Sequence, residues 1–134
     1  MTIVTPSQWL ADLVAQSFLA KFPVRVINNG IDTGVFKPDA SESVRERFEL
    51  GDRFIILGVA SIWGQSKGLN HFMELSKMID DDCVIVLVGL SEKKIAGLPP
   101  NIIGIKRTSN INELAQIYSA ADVFVNPSVE ETFG

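Results

Sequence analysis

The residues best suited to chemistry fall in two loops. The later one, Pro127-Ser-Val-Glu-Glu-Thr-Phe-Gly134, places the carboxylates Glu130 and Glu131 just after the apolar run Val123–Val125. That run reads as a buried strand, and Asn126-Pro127-Ser128 ends it, because proline cannot donate to a ladder. The earlier loop, Ser61–Gly68, follows the apolar run Phe54–Ala60 and carries Lys67 next to Gly68. A carboxylate suits sugar-type hydroxyls. A lysine before a helix start suits a phosphate, which the first amides of the helix also favour. Both loops follow strands directly, and open α/β sheets bind ligands at the C-terminal ends of their strands. The pair therefore fits one ligand that carries both phosphate and hydroxyl groups.

Other groups read as structural. Asp80-Asp81-Asp82 has the look of a metal site, but it precedes a strand and so belongs to the opposite end of the sheet. It is expected to be a solvated turn. His71 falls on a helix surface. Cys83, the single cysteine, starts a strand and behaves as a small hydrophobe. One cysteine and one histidine give no zinc spacing. The chain carries 12 Lys and Arg against 16 Asp and Glu, a net charge of −4. Nucleic acid is therefore not an expected partner, since a basic face supplies most of that affinity. No apolar run approaches the ~20 residues of a spanning helix, so stable membrane insertion is not expected either. The N-terminus shows no signal-peptide pattern, and a cytoplasmic protein, peripheral at the inner membrane face, is the expectation.

The elements that must position these loops alternate regularly. Thr5-Pro6-Ser7-Gln8 predicts a helix start, with Thr5 and Gln8 as a capping box. Trp9, Leu10, Leu13, Val14 and Phe18 continue it as one apolar stripe up to Pro23. Val24–Ile27 is extended, Asn28-Asn29-Gly30 turns, and a short helix starts near Ser41. From Phe54 the pattern becomes strand (54–60), helix (68–79), strand (83–88), a weak helical turn (91–96), strand (102–106), helix (111–121), strand (123–125). Strands that are apolar throughout are buried on both faces, as in a parallel sheet. The fold class is α/β, a Rossmann-like doubly wound parallel sheet whose strands from Phe54 onward are ordered 3-2-1-4. That order sets the Ser61–Gly68 and Ser128–Gly134 loops face to face across a crevice.

Five motifs, in order, resemble one family. Val26-Ile-Asn-Asn-Gly-Ile-Asp32 with Phe36-Lys-Pro38 is similar to the crossing segment of GT-B retaining glycosyltransferases of family four. Lys67-Gly68, Val88-Gly89 and Tyr118-Ser-Ala-Ala-Asp-Val-Phe124 fit the same pattern, and Pro127–Gly134 resembles the start of its paired-glutamate motif. The likeness runs from about Val4 to the last residue. It implies that residues 1–23 end an acceptor-side domain, 24–53 cross over, and 54–134 form the first half of the C-terminal nucleotide-sugar domain, truncated at its end.

The resemblance also implies roles. Lys67 would contact the donor's diphosphate and Glu131 the transferred sugar, as the catalytic pair. Ser61, Trp63, Gly68, Gly89, Arg107, Thr108, Thr132, Phe133 and Gly134 would complete the donor site. Arg107 stands where the family often has glycine, in the turn that meets the base. The family's second phosphate clamp, an arginine five residues before the lysine, is here Ile62. The partners implied are a nucleotide sugar and a saccharide or lipid-linked acceptor, with retention, and with neither metal nor other cofactor. The isolated chain is expected to be inactive. An exposed strand edge at Val123–Val125 leaves room for a homodimer. The competing reading is a non-catalytic nucleotide- or ligand-binding α/β module, or an inactive truncated domain.

Overall fold

The computed structural model describes residues 1–38 and 42–129. These form two compact units, Met1–Ile31 and Asp32–Val129. Glu131, Thr132, Phe133 and Gly134 lie outside the described residues.

The first unit contains β1 (Ile3–Thr5), α1 (Gln8–Ala15) and β2 (Val24–Val26). β1 and β2 pair in parallel from Ile3↔Val24 to Thr5↔Val26. Thr5 is therefore a buried strand residue, and its hydroxyl donates to the Ser7 carbonyl at 3.2 Å. The expected Thr5–Gln8 capping box does not form. Ser7 is the N-cap, with extended backbone angles and an Oγ that accepts from the Leu10 amide at 3.3 Å. The helix also stops early. Ser17 Oγ donates to the Val14 carbonyl and accepts from the Leu19 amide, so a side chain competes with the helical ladder. Within α1 only Ala11 is buried.

The second unit holds α2 (Glu42–Arg47), β3 (Phe54–Val59), α3 (Leu69–Leu75), β4 (Cys83–Val88), α4 (Glu92–Ile95), β5 (Ile102–Ile105), α5 (Ile111–Ala120) and β6 (Val123–Phe124). All four strands are parallel, in the order β5-β4-β3-β6. This is the expected 3-2-1-4 order. Both sheet faces are covered, as the uninterrupted apolar runs require. Ile55, Leu57, Val84, Val86, Val88 and Ile105 point to one face with Val44, Leu50 and Ile117. Ile56, Ile85, Leu87 and Ile102 point to the other with Trp63, Phe72 and Leu90. Gly58 serves this second face directly. A Cβ there would lie 2.6 Å from the tip of the Phe72 ring, so glycine lets α3 seat its aromatic against the strand.

β6 pairs with β3 over only two residues, Ile56↔Val123 and Leu57↔Phe124. Asp122 adds a further tie. Its Oδ2 accepts from the Ile55 amide at 2.8 Å and from Arg45 Nη2 at 3.3 Å. Arg45 also donates to the Gly51, Arg53 and Ala120 carbonyls, joining α2 to both strand starts. The start of the sheet is thus closed by charge-assisted bonds, and the other end is left for the loops.

Candidate functional site

At the C-terminal ends of β3, β4 and β5 lies a cavity of about 430 Å³. Val59, Ala60, Val88 and Leu114 form its apolar part. Ser61, Gly89 and the segment Arg107–Ile111 supply the rest. Four of the sequence-selected residues meet here: Ser61, Gly89, Arg107 and Thr108. Gly89 has a φ of +96°, and a Cβ on it would fall 1.8 Å from the Ala60 carbonyl oxygen. Only glycine permits this approach of the two strand ends.

The rim is fixed from behind. Asn110 caps α5, with its Oδ1 accepting from the Glu113 amide at 2.9 Å. Glu113 Oε2 returns to the Ser109 amide at 2.8 Å and to its hydroxyl at 2.9 Å, and Oε1 accepts from Arg47 at 2.8 Å. The Ser109 amide, then its hydroxyl, and then Arg47 hold the Glu113 carboxyl below its ordinary pKa. This reciprocal cap was missed at the sequence level, although Asn110-x-x-Glu113 is its signature. Upstream, the Gly89 and Leu90 amides both donate to the Ile105 carbonyl, at 2.9 and 3.1 Å. Arg107 therefore projects from a turn tied at both sides.

Trp63, Lys67 and Gly68 do not line the cavity. Trp63 is 3% exposed. Its indole N–H donates to the Val88 carbonyl at 2.8 Å, its ring meets Phe72 edge-on, and its carbonyl accepts from Lys94. It is a core side chain that bolts the loop after β3 onto the end of β4. Gly68 adopts φ +70° as the residue preceding α3. A Cβ there would come within 2.6 Å of the Pro127 ring, so Pro127 packs directly on it. The Val129 amide donates to the Ser66 carbonyl at 3.1 Å. The loops after β3 and β6 do face each other, as the strand order requires, but over Ser66–Gly68 they are in contact. The Gly68 and Leu69 amides turn back onto Gln65 and Gly64, so these two donors are spent within the loop. The cavity of about 430 Å³ lies on the β4–β5 side of this contact.

Asp80, Asp81 and Asp82 precede β4, at the opposite end of the sheet from the cavity. The Asp82 carbonyl accepts from the Phe54 amide, and that of Asp80 from the Cys83 amide, as a turn between helix and strand should. Away from the cavity, Tyr118 lies between Phe36 and Phe124, with ring centroids 6.0 and 5.4 Å away. Burial raises its phenol pKa. No helix among the described residues is long and apolar enough to cross a membrane.

Comparison with known proteins places this geometry. Residues 53–134 match the family model described as Glycosyl transferases group 1. The whole chain is 30% identical to sulfoquinovosyl transferase SQD2 of Arabidopsis thaliana, spanning 27% of that protein. Over 98% of the chain it is 27% identical to the processive diacylglycerol alpha-glucosyltransferase of Acholeplasma laidlawii, spanning 42% of it. The chain thus spans less than half the length of either relative. Among solved structures, sucrose-phosphate synthase of Thermosynechococcus elongatus superimposes with a TM-score of 0.81 at 22% identity, over 99% of this chain and 36% of that one. Anabaena HepE in complex with UDP-glucose gives 0.77 at 17% identity, over 98% and 39%. At these identities the structures speak for the fold, whereas the family model covers more than half of the residues: the chain belongs to the group 1 glycosyl transferases and carries a Rossmann-like α/β sheet of their GT-B fold.

Proposed function

We propose that the protein is a retaining glycosyltransferase and that Asp32–Val129 forms part of its nucleotide-sugar site. The observation that carries this reading is the cavity of about 430 Å³ at the strand ends, where Ser61, Gly89, Arg107 and Thr108 converge. It lies at the C-terminal ends of the strands, the end at which open α/β sheets bind ligands, beside the switch point between β3 and β6. Its apolar floor suits a base or sugar ring, and its polar rim suits phosphate. HepE, with the same fold, was solved with UDP-glucose and with UDP, which favours a uridine diphosphate sugar as donor. The acceptor is a saccharide or a lipid-linked one; diacylglycerol in the name of the Acholeplasma relative favours the second. A lipid acceptor would hold the enzyme against the inner face of the cytoplasmic membrane.

In this scheme the protein stabilises the departing diphosphate and positions the acceptor, so preorganised positive charge replaces a metal ion. Lys67 addresses the diphosphate and Glu131 the sugar hydroxyls. A second glutamate, eight residues past Glu131, would complete the motif in the full-length protein. The test is calorimetric titration of the full-length protein with UDP-, GDP- and ADP-sugars, with and without EDTA, alongside a transfer assay. One nucleotide sugar binding and being consumed without metal is the expected result. Absence of binding by all three classes would remove the proposal.

A further inference from the structure

We infer that Arg107 grips the phosphates of the nucleotide donor, entering the cavity from the β5 side. This rests on the functional reading above and assigns within it a contact that the charge inventory singles out. The other arginines of the second unit are committed: Arg45 to Asp122 and three carbonyls, Arg47 to Glu113, and Arg53 to the Leu50 and Glu49 carbonyls. The lysines nearest the rim are committed as well, Lys94 to the Trp63 carbonyl and Lys106 to Glu92. Arg107 lines the cavity, is exposed, and forms no hydrogen bond or ion pair among the described residues.

Among the described lining residues Arg107 is the only charged one, and none of them is a carboxylate. Glu113, on the helix that follows the rim, is spent on Ser109 and Arg47. The cavity is also graded. Val59, Ala60, Val88 and Leu114 offer an apolar seat, whereas Arg107 and Thr108 stand at the polar rim. A nucleoside diphosphate has the same division, a flat ring system at one end and charge at the other. A guanidinium fork matches two phosphate oxygens at once, and its planar donors lose little freedom on binding. The capped turn behind it removes a further part of that cost, since the backbone on both sides of Arg107 is already tied.

The test is titration of the full-length protein and its Arg107→Ala and Arg107→Lys variants with UDP, UMP and uridine. Arg107→Ala should weaken UDP by about ten- to a hundredfold, the cost of one charge-assisted contact, and leave uridine within about twofold. Arg107→Lys should recover part of the UDP loss. The melting temperature should stay close to the wild-type value, because the exposed side chain makes no hydrogen bond or ion pair among the described residues. Equal losses for UDP and uridine would mean that Arg107 meets the base and would overturn the inference, as would unchanged UDP binding. A wild type that binds UDP while the alanine variant binds it equally well removes this inference alone. A wild type that binds none of the three removes the functional reading, and this with it.

Discussion

Replacing Asp122 by alanine should destabilise the second unit. The Ile55 amide, on a residue 2% exposed, loses its 2.8 Å acceptor. An orphaned buried donor costs about 1–3 kcal/mol. The Arg45 contact, at 3.3 Å between side chains 30% and 37% exposed, is partly screened by solvent and adds about 0–1 kcal/mol. The sum is about 1–4 kcal/mol, which is large against the 5–15 kcal/mol of a typical domain. Asp122→Asn should cost only about 1 kcal/mol, because an amide oxygen can still accept from Ile55 while the charge on Arg45 goes unanswered. Arg45→Ala should cost about 1–2 kcal/mol through the carbonyls it leaves, and the double mutant should show coupling below about 1 kcal/mol. Urea unfolding of the chain at neutral pH, followed by far-ultraviolet circular dichroism, measures all four. If Asp122→Ala unfolds within about 0.5 kcal/mol of wild type, the tie between β3 and β6 is not what holds the short strand, and the reasoning fails.

Four further outcomes are expected. Asn110→Ala should cost about 1 kcal/mol through loss of the α5 cap. Glu113 has a depressed folded pKa, so its contribution is complete above the ordinary carboxylate range and is lost as pH falls through the lower folded value; Glu113→Gln should flatten that part of an acid unfolding curve. Glu49 sits at φ +52° after α2, a position that favours glycine, so Glu49→Gly should stabilise the chain by about 0.5–1 kcal/mol in the same urea experiment; a loss would show that its side chain contributes more than the backbone strain costs. In the full-length protein, Lys67→Ala and Glu131→Ala should each lower transfer about ten- to a hundredfold, with only Lys67→Ala weakening the bare diphosphate; normal turnover by both would misplace the site.

Much of the second unit could be read from its strands. Phe54–Val59 and Cys83–Val88 are apolar without alternation, which only a sheet covered on both faces explains, and the helices between them leave few topologies. The first unit resisted the same reading. Ile3–Thr5 is three residues long, too short for periodicity to show, and it becomes a strand because Val24–Val26 pairs with it. That pairing moves the helix cap from Thr5 to Ser7. Both have hydroxyls suited to capping, and only the long-range strand separates them. Trp63 is a similar case. The resemblance put it in the donor site, whereas Phe72 and the Val88 carbonyl draw it into the core.

Part of the cavity's lining was legible as a set of residues and not as a shape. Strand order alone brings the ends of β3, β4 and β5 together, so Ser61, Gly89 and the Arg107–Thr108 turn had to be neighbours. Which pair of loops encloses space depends on contacts that no spacing rule contains. Gly68 was selected as a helix start that would offer amides to phosphate. Its positive φ and the Pro127 ring against its Cα show that the missing side chain serves loop packing as well, and two of the amides close the turn onto Gly64 and Gln65. The β3 and β6 loops therefore meet over this glycine, and the cavity opens beside them, under the rim that Asn110 and Glu113 hold. A glycine in such a motif satisfies backbone conformation, close packing and ligand approach by the same absence of a Cβ. Sequence cannot apportion these, but the position of Pro127 can: Gly68→Ala should disturb the β6 loop even when no ligand is bound.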